Sequence, residues 1–100
     1  MKLHETPTGI IEIEIIDNCS YDQFVSIAKR VKKQLGIEFV SKIGDLESYY
    51  WDFEFDKLLF TIHHNVFVGV SIYLPESKLS PTETHKILNK VLNILQNNSL

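Results

Sequence analysis

Between Tyr49 and Tyr73 the chain reads YYWDFEFDKLLFTIHHNVFVGVSIY, alternating large apolar and polar side chains with little interruption. Successive side chains of an extended strand point to opposite faces, so this pattern demands a sheet with one buried and one polar side. Tyr49, Trp51, Phe53 and Phe55 form the first apolar set, interleaved with Tyr50, Asp52, Glu54 and Asp56. Asp56-Lys57 reads as a two-residue hairpin turn. Leu58, Phe60 and Ile62 are the inward set of the next strand, followed by a loop over 65–67. Val68, Val70, Ile72 and Leu74 are the inward set of the last strand, which Pro75 ends.

Upstream, residues 10–16 (IIEIEII) place Ile11, Ile13 and Ile15 on one face of a strand, with Glu12 and Glu14 on the other. Ser20 and Gln23 form a capping-box pair ahead of a helix. Phe24, Ile27, Ala28, Val31 and Leu35 follow at helical spacing, and Gly36 suits the position after the last turn. Lys29, Arg30, Lys32 and Lys33 complement the helix dipole. A second helix opens at Ser80-Pro81 with Glu83 in its first turn, carries the stripe Leu88, Val91, Leu92 and Leu95, and frays over Asn97, Asn98 and Ser99. Residues 1–8 read as loose, 37–40 as a short extended segment and 41–45 as a turn around Gly44. The expected fold is α+β, one domain over 1–100 in the order β-α-β-β-β-α. Its mainly antiparallel four-stranded sheet carries both helices on one face and leaves the other to water or a partner.

One hundred residues, 44% apolar, suffice for one core. Ten Lys and Arg against thirteen Asp and Glu give a net charge of −3, which opposes direct nucleic-acid binding. A single cysteine, Cys19, rules out an intrachain disulfide and cysteine-based metal sites, and suits a reducing cytoplasm. The N-terminus has no signal-peptide pattern, and no apolar run approaches the ~18 residues of a membrane span.

Pairing Phe55 with Leu58 across the turn, and Ile62 with Val70 across the next loop, gives three outer rows. They are Tyr50–His63–Gly69, Asp52–Thr61–Ser71 and Glu54–Leu59–Tyr73. The acidic run Glu38, Asp45, Glu47, Asp52, Glu54 and Asp56, opposed by Lys42 alone, suits a basic partner. His63 and His64 point to opposite faces and cannot serve one site; His63 and Asp52 form a diagonal pair. No metal-ligand spacing, phosphate loop or nucleophile motif occurs, and no cofactor is implied.

The strand segments YYWDFEFD, LLFTIHHN and VGVSIYLP, about a third of the chain, resemble small bacterial immunity proteins of contact-dependent growth inhibition and related polymorphic toxin systems. The resemblance implies a cytoplasmic, non-enzymatic inhibitor that binds a cognate protein toxin, such as a basic nuclease domain, and blocks its active site or its substrate groove. The expected docking residues are Tyr50, Asp52, Glu54, Asp56, His63 and Tyr73. The alternatives are a self-associating module, such as a homodimer, and a small ligand-binding domain or enzyme using His63.

Overall fold

A computed structural model describes residues 1–97. The class is α+β with two helices, as expected, but the sheet has six strands rather than four. In chain order the elements are β1 (Lys2–Glu5), β2 (Ile11–Asp17), α1 (Tyr21–Leu35), β3 (Phe39–Gly44), β4 (Ser48–Phe55), β5 (Leu58–Asn65), β6 (Gly69–Tyr73) and α2 (Pro81–Asn97). The sheet order is β1-β2-β6-β5-β4-β3, with every neighbouring pair antiparallel. The expected fraying at Asn98 and Ser99 lies outside the described residues.

The two additional strands are the sheet edges. Residues 2–5 pair with β2 through a hairpin closed by Thr6 N–H to Ile10 O at 2.8 Å and Gly9 N–H to Thr6 O at 2.9 Å. Four residues are too short for a periodic signal, and pairing supplies what local propensity does not. β3 begins in the segment read as extended and continues through most of the one read as a turn; a bulge between Phe39 and Ser41 breaks its alternation.

Both helices start as their sequences dictate. In α1, Gln23 N–H donates to Ser20 Oγ at 3.2 Å and Ser20 N–H to Gln23 Oε1 at 2.9 Å. Ser80 and Glu83 repeat this exchange ahead of α2. Gly36 ends α1 in the left-handed conformation at φ 67°, which costs a glycine little.

α1 packs against β5, and α2 lies over β1 and β2. Between them and the sheet sit Phe24, Ala28, Val31, Leu88, Val91 and Leu95 from the helices. Ile13, Trp51, Phe53, Phe60, Ile62, Val70 and Ile72 come from the strands. Each fully buried large side chain contributes roughly 1.5–3 kcal/mol. No described element covers the opposite sheet face. Neither helix is long and apolar enough to cross a membrane.

The β4–β5 register is the expected one, with Phe55 opposite Leu58 and Tyr50 opposite His63. Asp56 and Lys57 both take positive φ, 53° and 64°, the backbone of a two-residue hairpin whose twist matches the strands. The β5–β6 register differs: Ile62 faces Ile72, not Val70. The loop is three residues long but begins one residue later, because Asn65 remains in the strand and its Oδ1 accepts Phe67 N–H at 2.9 Å. The partner of each β5 residue therefore moves by two positions, which keeps every β6 side chain on its expected face. Val68 leaves the strand and is exposed rather than inward.

Candidate functional site

The outer rows become Tyr50–His63–Ser71 and Asp52–Thr61–Tyr73, with Glu54 opposite Leu59 at one end. Tyr73 thus lies one row nearer the centre than expected. Tyr50 and His63 stack almost parallel, their ring centroids 4.4 Å apart and planes 8° apart. Tyr73 meets His63 edge-on at 6.3 Å. Burial depresses the His63 pKa below 6.5, with a smaller electrostatic contribution from the adjacent His64. Its Nε2 is buried without a hydrogen-bond partner among the described residues. Burial, then Tyr50, Asp52 and Glu12, push the Tyr73 phenol upward, so it remains a neutral hydroxyl.

Asp52 does not orient His63. Its Oδ1 accepts from Thr61 Oγ1 at 2.6 Å, and Thr61 is buried on this face. The two act as a unit, the carboxylate satisfying a hydroxyl that water does not reach. No aligned base, nucleophile and orienting group results.

Placing β2 beside β6 brings two further carboxylates onto this face, Glu12 and Glu14, which flank the buried Ile13. With Asp17, His4, His63 and Ser71 they line a hollow of about 180 Å³. Burial raises the Glu12 pKa above 4.5 against the opposing effects of His4 and the Ser71 hydroxyl. The alternation of Glu12 and Glu14 is plain in the sequence, but their place beside the Tyr50–His63 stack depends on strand order, a tertiary property. A larger groove of about 380 Å³, between α1 and β2, is lined by Met1, Ile15, Ile16, Ile27 and Arg30 among others and holds no paired acid and base. No group of three or more His, Cys, Asp or Glu is placed to hold a metal ion among the described residues.

The acidic run does not act as one patch. Glu38 pairs with Lys32 of α1 at 2.9 Å. Asp45 Oδ1 accepts the N–H groups of Glu47 and Ser48, both at 2.9 Å, and these bonds lower its pKa. Asp56 pairs with Lys90 of α2, so the turn is tied to the helical layer and this carboxylate leaves the outer set. Asp52 and Glu54 remain there.

His64 points inward, as alternation requires. Its ring stacks on Phe24 at 5.1 Å and Tyr49 at 6.0 Å. Its Nε2 lies 2.9 Å from the carbonyl oxygen of Cys19, which can only accept, so the proton sits on Nε2. The structure thus joins Cys19 to a histidine through the backbone rather than the thiol. Burial raises that thiol's pKa, the opposite of nucleophile activation.

Charge divides between the layers. Lys29, Arg30, Lys32, Lys33, Lys86 and Lys90 lie on the helices, against Asp22 and Glu83. The sheet and its loops hold the other eleven of the thirteen carboxylates with four of the ten Lys and Arg. On the outer face itself, Glu12, Glu14, Asp52 and Glu54 lie around the aromatic centre, while Lys2 and His4 of β1 stand opposite Glu14 and Glu12 at its edge. No family model, curated protein or solved structure matches this chain.

Proposed function

We propose that this chain is a non-enzymatic protein-binding inhibitor of the immunity type, which neutralises a cognate toxin by docking its outer sheet face. The observation that carries the reading is the uncovered face itself, where Glu12, Glu14, Asp52 and Glu54 from β2 and β4 surround the Tyr50–His63 stack. Five gaps of about 4.8 Å across six strands, and about 27 Å along β4 and β5 with less along the shorter strands, bound the flat area at roughly 650 Å², near the lower end of what one partner contributes to a specific protein interface. Aromatic anchors at the centre with charges around them match the anatomy of such interfaces.

In this reading Tyr50 and Tyr73 supply desolvated contact area. The carboxylates meet Lys and Arg of the toxin that otherwise hold substrate phosphates, as in a basic nuclease domain. Charge complementarity speeds association and fixes orientation, and inhibition follows from occupying the substrate groove. Raised pKa values at Glu12 and Tyr73 come chiefly from burial, so part of this surface is already desolvated before a partner arrives.

The test is titration of the purified chain against the toxin domain encoded beside it, read as binding and as loss of toxin activity. Glu14→Lys with Glu54→Lys reverses charge without breaking the Asp52–Thr61 bond. Weakening of more than tenfold with unchanged circular dichroism supports the reading. Unchanged affinity removes the sheet face as the docking surface, and absence of binding by the parent chain removes the inhibitor reading.

A further inference from the structure

At one end of the sheet, three exposed apolar side chains have no role in the fold. Leu46, in the β3–β4 loop, is 94% exposed; Phe67 and Val68, in the β5–β6 loop, are 75% and 73% exposed. Leu, Phe and Val so exposed on adjacent loops are unfavourable in water, and such patches mark interaction surfaces.

These loops are not slack. Val66 N–H donates to Glu47 O at 3.0 Å, joining the two loops, and Asn65 Nδ2 donates to Ser48 Oγ at 2.8 Å beneath them. Asp45 and Asn65 each close their own loop with side-chain bonds to backbone N–H groups. Asn18 N–H reaches Val68 O at 3.3 Å, adding the β2–α1 connection. The apolar tips are thus held in place before binding, which reduces the ordering cost of inserting them.

The tips also continue the face described above. The pair Ser48–Asn65 lies two residues from Tyr50–His63 on both strands, and so on the same side of the sheet. Val68 and Asp17 line the hollow that His63 also borders. Within the connections the charge has one sign: Asp17, Asp45 and Glu47 belong to them, and residues 17–20, 45–48 and 65–69 contain no Lys or Arg, while Lys2 of β1 is set opposite Glu14.

We infer that Leu46, Phe67 and Val68 anchor the docking surface by entering an apolar pocket with a Lys- and Arg-bearing rim on the protein partner. The inference rests on the protein-binding reading and names the chemistry of that partner. Charge decides between a protein and a bilayer, because three carboxylates beside the tips oppose approach to an anionic lipid surface.

The experiment places a photo-crosslinking phenylalanine analogue at position 67, at position 50 and, on the helical layer, at position 86. Each full-length chain is irradiated in cells of its own organism. A basic protein captured from 67 and 50 but not 86, then purified, is titrated with the parent chain and the Leu46→Ser, Phe67→Ser double variant. The expected result is a loss of about a hundredfold in affinity, the scale of removing apolar anchors from a partner's pocket, with unchanged thermal unfolding. Capture from 50 but not 67, or a loss below threefold, overturns the anchor and leaves the sheet-face reading standing. Capture from neither overturns both. Co-sedimentation with phosphatidylcholine–phosphatidylglycerol vesicles that disappears in the double variant overturns the protein partner in favour of lipid.

Discussion

The two adjacent histidines show how one position along a strand changes the role of a side chain. His64 packs in one cluster with the Phe24 and Tyr49 rings and donates to the Cys19 carbonyl, so it serves the fold. His64→Ala removes the stacking volume and leaves a buried carbonyl without its donor. Together these cost about 3–5 kcal/mol, a large share of the roughly 5–15 kcal/mol available to a domain of this size. His64→Phe restores the ring but not the donor and falls between the two in urea unfolding. His63 faces outward, half buried, with its pKa depressed chiefly by burial. The folded state therefore resists its protonation. Above pH 6.5 the neutral ring is present in both folded and unfolded chains, and this residue imposes no pH-dependent penalty. As the pH falls through 6.5 towards the lower folded pKa, the unfolded chain takes up the proton more readily and stability is lost. Unfolding midpoints measured between pH 7.5 and 5.5 should fall more steeply for the parent than for His63→Gln; parallel curves would contradict this. The opposite orientation of these histidines was legible in the sequence, because alternation has a period of two. The bond to Cys19 was not, because it spans 45 residues and depends on how α1 enters the fold.

At the scale of elements, the helices and the β4–β5 hairpin were legible because each carries its signal locally. Ser20 with Gln23, Ser80 with Glu83, Gly36, and the alternation on either side of Asp56-Lys57 all act within a few residues. The edge strands were not, since β1 is only four residues long and β3 is interrupted by a bulge. The β5–β6 register hinged on one side chain, Asn65, whose carboxamide closes the loop one residue later than alternation alone suggests. Gly69 then occupies a position no other residue fits. It has φ +116°, and an added Cβ would lie 2.0 Å from the Ile16 carbonyl oxygen and 2.7 Å from the Asn18 nitrogen. These are backbone atoms of β2 and its connection to α1, so relief requires separating β6 from β2. Gly69→Ala is expected to cost more than about 3 kcal/mol. A change below 1 kcal/mol in chemical denaturation would show that β6 can shift without loss.

For the whole molecule, an open sheet raises the question of what prevents further strands from adding at its edges. β1 offers four residues bearing Lys2, His4 and Glu5, and β3 carries Lys42 beside a bulge. Short, charged or bulged edges disfavour strand addition. Lys42 has a second role: its Nζ lies 4.4 Å from the Trp51 ring centroid, so the ammonium covers the open side of the core tryptophan. The outer face is acidic, and two copies brought face to face would repel each other, whereas a basic partner would be attracted. These features favour a single copy that meets a different protein over a self-associating module. The expected outcome is concentration-independent sedimentation of the parent chain at micromolar levels. Lys42→Val removes the edge charge and the cover over Trp51, raises the strand propensity of β3, and should give a concentration-dependent increase in sedimentation rate. If the parent itself associates, the edges are interfaces rather than protected boundaries. If Lys42→Val remains monomeric and is only less stable, the ammonium acts through Trp51 and the bulge alone guards the edge.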